Sequence, residues 1–289
     1  MNKNLSKKLF LKFRHYPLII IALFFCSFSA PKGIRYHHFT NNIPQSIHVF
    51  EVDPKIFPIV PAKALDKCVG RENVLSLSKR KGALAAFNGG YFAIGKHDGA
   101  PCGILKINKE WYGLPLKPRG AIGWKNNGSE VILDRVLTHQ DGIEFYVDSQ
   151  TGDTTSIEWE NMDHIVGGTP LLIKEGKKIQ DFSSEQTLQL FLVLRHARTA
   201  IGILPDGNWI FVVVDGKQPE LSLGMTMGEL ADFMEDLGCV EALNLDGGGS
   251  TTFVYQDQVV NQPTGDGDDD NDGKRMLRPV SDAILIMQK

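Results

Sequence analysis

From about residue 33 onward the chain is a succession of short apolar runs, each closed by glycine, proline, asparagine or aspartate. Eleven stand out: SIHVFEV, ALAAF, CGILKI, GAIGW, EVILD, IEFYV, TAIGIL, NWIFVVV, EALNL, TTFVY and DAILIM. Runs of this length between turn formers read as β-strands, because branched and aromatic side chains suit a pleated, half-buried surface. Two stretches interrupt them with helical character. One is ENVLSLSKRKG. The other is TMGELADFMEDLG, where Leu230, Phe233, Met234 and Leu237 fall at i, i+3, i+4 and i+7. Thr226 and Glu229 form a capping box there, and Gly238 stands where a C-terminal cap belongs. No repeat of fixed period is present. No linker divides residues 33 to 289, so the expectation is one α+β domain over 31–289, β-rich, with a mixed sheet and a few flanking helices.

The first 30 residues differ from the rest. Lys3, Lys7, Lys8, Lys12 and Arg14, with no acid, precede the run LIIIALFF and then CSFSA. A basic head, a short apolar core and small residues read as an export signal. The core is shorter than the roughly 20 residues of a comfortable membrane span. If retained, the segment is an N-terminal membrane tether. The expected location is periplasmic, envelope-associated or secreted. The whole chain carries −3, and removing five positive charges leaves −8 for residues 31–289. That balance argues against a nucleic-acid partner, whose binders carry a basic footprint. Cys68, Cys102 and Cys239 are too widely spaced for a zinc pattern and allow at most one disulfide.

Polar residues recur where apolar runs end. In EALNLDGGGSTTFVY, Asp246 is followed by Gly247, Gly248, Gly249 and Ser250. Glycines let backbone approach a ligand closely, and adjacent N–H groups can cradle an anion. AAFNGGYF repeats the arrangement with Asn88, Gly89 and Gly90; VGGTPLLIKEGK places Gly167, Gly168 and Thr169 before a strand. FVVVDGK ends in Asp215, and RHARTAIGIL leads Arg198 and Thr199 into a strand. A sheet commonly presents a site in this way, from the edges of its strands.

The motifs FNGGYF, GGTPLLIKEGK, RTAIGIL, VVVDGK, LGCVEALNLDGGGSTTF and RPVSDAILI, in that order over about residues 80 to 287, resemble the phosphodiester glycosidase family. The resemblance implies an exported hydrolase that cleaves a sugar-1-phosphodiester at the sugar carbon. It implies Asp246 and Asp215 as catalytic carboxylates. It implies Asn88, Arg198, Thr199, Gly247, Gly248, Gly249, Ser250 and Arg278 as substrate-binding residues, with no metal and no cofactor. Where a short turn is expected before Arg278, this chain carries the acidic stretch 266–272. Its DDDNDG run fits the first half of a calcium loop, but Pro279 stands where the bidentate glutamate is wanted.

A phosphate monoester leaves as a stable anion, its last pKa being about 6, so such a site needs little proton donation. It must stabilise the phosphate charge and set a carboxylate against an oxocarbenium-like carbon. Arginine matches phosphate bidentately. Two other readings stand beside this one: a non-catalytic envelope module holding an anionic glycan, and a phosphodiesterase attacking phosphorus.

Overall fold

Six consecutive residues of the strand Trp209–Val214 are buried, and so are all six of Arg198–Ile203. A strand covered on both faces reads as a continuous apolar run rather than an alternating one. The computed structural model describes residues 31–41, 43–115, 117–141, 144–265 and 276–289. The expected export segment and the DDDNDG run lie outside the described residues.

The described strands form three sheets. The seven-stranded sheet runs Ile34–Asn41, Gln45–Val52, Trp209–Val214, Arg198–Ile203, Glu241–Asn244, Leu171–Lys174, Lys177–Lys178. The six-stranded sheet runs Glu110–Gly113, Leu105–Ile107, His164–Gly168, Arg119–Lys125, Glu130–Asp141, Glu144–Ser149. The five-stranded sheet runs Gln258–Val259, Phe253–Tyr255, Ala85–Asn88, Asp282–Ile286, Ile59–Lys63. Inner faces of all three meet in one core that includes Phe50, Phe87, Trp124, Phe211, Leu243, Phe253 and Ile284. At its centre the Phe87 ring stacks on Phe211 at 4.2 Å and on Phe253 at 4.7 Å. Truncating any of these rings to alanine costs about 3–5 kcal/mol.

Helix Met227–Asp236 covers the other face of the seven-stranded sheet. Its buried Leu230, Phe233 and Met234 pack with Ala200, Ile210 and Val212. The expected capping box is present, Thr226 accepting from the Glu229 N–H, and Gly238 takes the left-handed φ of +83°. Helix Val74–Lys81 forms where ENVLSLSKRKG lies, capped by Asn73 and stopped by Gly82. Two five-residue helices, Ser156–Glu160 and Gln189–Val193, are too short for their periodicity to show.

The α+β, β-rich architecture stands, but the sheets are not mixed. Every pairing between described strands is antiparallel. A parallel pair needs a crossover that returns the chain beside its own strand. Here the crossover through Met227–Asp236 skips a strand. Trp209–Val214 and Glu241–Asn244 therefore flank Arg198–Ile203 on opposite sides, each antiparallel to it.

Candidate active site

The strand Ala85–Asn88 delivers Asn88 to the seam between the five- and seven-stranded sheets, where it is fully buried. Its amide Nδ2 donates to the Asp246 carbonyl at 2.7 Å. Its Oδ1 accepts from Thr199 Oγ1 at 2.7 Å and from the Thr252 N–H at 3.2 Å. Asn88 and Thr199 were expected to bind substrate. They instead rivet the two sheets together and hold the Asp246 backbone, with their polar atoms used by protein.

Gly89 and Gly249 admit close protein neighbours, whereas Gly248 faces open space. A Cβ on Gly89 would lie 2.9 Å from Asp282 Cγ, and Asp282 Oδ1 accepts the Gly90 N–H at 3.0 Å. The Asp246 N–H donates to the Gly89 carbonyl at 3.2 Å. A Cβ on Gly249 would lie 2.5 Å from Arg278 Nη2, so the guanidinium passes directly over that residue. Of the expected anion cradle, the Gly247 N–H donates to Asp246 Oδ1 at 2.8 Å and the Gly248 N–H to the Ala197 carbonyl at 2.9 Å. The first donor holds the loop's own turn and the second ties the loop to the segment that leads into Arg198–Ile203.

Asp246 is the partly exposed carboxyl at this convergence. Burial raises its pKa to about 6 and the nearby Asp282 adds to this, while Ser250, the Gly247 N–H and the Arg278 charge pull the other way. The Ser250 hydroxyl faces it without meeting hydrogen-bond geometry. Ser250 Oγ, Thr251 Oγ1, Thr252 Oγ1, Asn244 Oδ1 and Arg198 Nη1 are buried without hydrogen-bond partners among the described residues. Buried polar groups are nearly always paired, so orphans gathered around two adjoining loops mark a place built for more than packing.

Asp215 differs from Asp246 in every respect. It is 1% exposed and accepts from Asn261 Nδ2 at 3.0 Å and the Gln262 N–H at 2.9 Å, with His48 Nε2 at 3.3 Å. Burial opposes its charge, but His48 and these donors prevail and its pKa falls below the ordinary carboxylate value. Both carboxylate oxygens of Asp215, expected to be catalytic, have protein partners. Asp215 anchors the 261–262 turn and the first hairpin. Asp215→Asn is expected to cost about 1–3 kcal/mol of stability, read as a melting temperature lower by about 2–4 °C per kcal/mol.

Arg198, expected on phosphate, is fully buried. Its Nε donates to the Met225 carbonyl at 2.9 Å, and its Nη2 to the carbonyls of Phe191 and Leu194 at 2.8 and 2.9 Å. The guanidinium lies over the Phe191 ring at 4.6 Å, and burial lowers its pKa to about 10. It fastens the Gln189–Val193 helix, which buries none of its own side chains. A lysine has no fork to span these acceptors. Arg198→Lys should therefore free this segment to proteolysis, a change that limited digestion will show.

Three residues unremarked in the sequence complete the site. Asp282 buttresses the Asn88 loop. Tyr91 donates its hydroxyl to the Thr169 carbonyl at 3.2 Å and receives Asn244 Nδ2 at 3.0 Å. Arg119, at the start of its strand, shares with Tyr91, Cys102, Thr169 and the backbone of Gly103, Gly167 and Gly168 a cavity of about 220 Å³. Asp246 also raises the pKa of Tyr91 and Cys102, after burial, placing its charge beside this cavity. Among the described residues, no three of His, Cys, Asp and Glu are grouped to hold a metal ion, and Cys68, Cys102 and Cys239 are unbridged.

A β-rich scaffold with a carboxyl, a guanidinium and an open cavity at its strand ends is an arrangement in which small-molecule sites commonly form. The phosphodiester glycosidase family model matches residues 81–287, and the chain belongs to that family. Mouse N-acetylglucosamine-1-phosphodiester alpha-N-acetylglucosaminidase is 32% identical over 96 residues, which is 32% of this chain and 18% of the mouse protein. The zebrafish enzyme's catalytic domain, solved in a form auto-inhibited by its pro-peptide, superposes with a TM-score of 0.63 at 22% identity. It covers 89% of this chain and 82% of its own. A Synechocystis protein of solved structure reaches a TM-score of 0.69 at 18% identity, covering 89% of this chain and 62% of its own. The match to the mouse relative thus spans under a fifth of that protein's length, and the structural likenesses establish the fold.

Proposed function

We propose that this protein hydrolyses a sugar-1-phosphodiester at the glycosidic C–O bond, with residues 31–289 as the enzyme domain and residues 1–30 as its export signal or anchor. The observation that carries this reading is Asp246: a partly exposed carboxyl with a pKa near 6, beside Arg278 and a cavity, on a loop ordered from both sheets. Above that pKa the carboxylate faces the anomeric carbon as base for water or as nucleophile. In the base route a water oxygen bonds the anomeric carbon and its proton passes to Asp246. The bond from that carbon to the phosphate oxygen breaks, and its electron pair leaves with the phosphate monoester. Arg278 and the cavity wall stabilise the departing charge.

The relative's name makes N-acetylglucosamine-1-phosphodiesters the first compounds to assay, within a wider panel of sugar-1-phosphodiesters. Release of free sugar and phosphate monoester is the expected result. The alternative, a non-catalytic envelope module holding an anionic glycan, is favoured by one observation: Asp215 is fully engaged, leaving a single open carboxyl. Thermal protection by these compounds with no product formed would select it.

A further inference from the structure

Among the described residues, Arg119 is a guanidinium without a counter-ion. Its one hydrogen bond is Nη1 to the Pro118 carbonyl at 3.1 Å, and no acidic side chain lies within 4 Å of it among the described residues. Its neighbours in the fold are supplied elsewhere. Glu185, close by, is saturated by the N–H groups of Gly120 and Leu171, the Thr169 hydroxyl and Arg135. Among the described residues, Arg119 is the one charged side chain in the wall of the 220 Å³ cavity. In a domain of net charge −8, an open cation facing a cavity needs a reason.

The cavity is also tied mechanically to Asp246. Asn244, two residues before it, donates to the Tyr91 hydroxyl and to the Thr169 carbonyl at 2.6 Å, and both residues line the wall. Gly90 packs close to the Gly167 carbonyl, where an added Cβ would lie 2.9 Å away, so the Asn88 loop and the cavity floor are in contact.

We infer that Arg119 and this cavity form the phosphate subsite, and that the substrate's phosphodiester anion binds there with its sugar carbon toward Asp246. The inference rests on the proposed hydrolase reading for its substrate, but not for its test. Arg198 is thereby a positioning residue, holding the neighbouring helix, and Arg119 joins Arg278 in meeting the phosphate.

The test is calorimetric titration of inorganic phosphate into the full chain at low salt, for wild type, Arg119→Gln and Arg71→Gln. Arg71 pairs with Asp98 outside the cavity and serves as the control. Because the Arg119 side chain makes no hydrogen bond or ion pair beyond Pro118 among the described residues, its variant should melt close to wild type. Charge-assisted hydrogen bonds of this kind imply binding weakened about tenfold or more in Arg119→Gln, with Arg71→Gln unchanged. Equal binding by wild type and Arg119→Gln would overturn the inference, as would the absence of phosphate binding by wild type. Phosphate binding lost in Arg119→Gln while every phosphodiester goes uncleaved would sustain the subsite and remove the hydrolase reading.

Discussion

Asp246→Asn is expected to yield a folded protein whose kcat falls about 100-fold or more, the range for a lost acid–base group. The side chain makes one hydrogen bond, from the Gly247 N–H to Oδ1, and an asparagine oxygen can accept the same bond. Structure should therefore survive while the charge is lost. In wild type the carboxyl must be ionised to act as base or nucleophile, so kcat/KM should rise with pH through about 6 and level off above it. Steady-state kinetics from pH 4.5 to 8 with circular dichroism on both proteins will check this. Near-wild-type kcat in the variant would remove Asp246 from the chemistry.

Gly89→Ala is expected to be strongly destabilising. The new Cβ would drive into the Asp282 carboxyl and lie 3.2 Å from the Asp282 carbonyl. Asp282 is buried in the strand Asp282–Ile286, paired on both sides, and cannot retreat. Overpacking of this kind costs about 1–3 kcal/mol. Because the Gly89 carbonyl also receives the Asp246 N–H, activity should fall with stability. Gly228 is the contrast. A Cβ there meets nothing within 4 Å and its backbone is helical, so Gly228→Ala should hold or raise stability by up to about 1 kcal/mol. Thermal melting of the pair separates the two effects.

Much of the architecture was legible because its signals are local. The run NWIFVVV, the capping box at Thr226 and Glu229, and the glycines Gly82 and Gly238 beyond the two longer helices announce their own conformations. The first hairpin's edge strand, Ile34–Asn41, escaped notice because RYHHFTN has no apolar rhythm; its outer positions are solvated and its order comes from pairing with Gln45–Val52. The absence of parallel pairs was hidden for a different reason: whether a crossover skips a strand depends on contacts far apart in the chain.

The site divides in the same way. A carboxylate before three glycines singles out Asp246, and the family resemblance gives it its expected role. The motif cannot tell a residue that faces a ligand from one that faces the protein, and Asn88, Thr199, Asp215 and Arg198 all turned inward. Their hydrogen bonds join distant segments, as in Thr199 to Asn88 and Asn261 to Asp215. Arg119 had a faint signal, a charge opening the apolar strand RGAIGWK just as Arg198 opens RTAIGI.

The account's central claim is which bond breaks, and isotope labelling addresses it most directly. Hydrolysis of a sugar-1-phosphodiester is run in oxygen-18 water and both products are weighed by mass spectrometry. Attack at the anomeric carbon, with the phosphate departing whole, puts the label in the sugar's anomeric hydroxyl and none in the phosphate monoester. Label found in the phosphate monoester, with the sugar carrying none, would mean attack at phosphorus and would contradict the glycosidase mechanism.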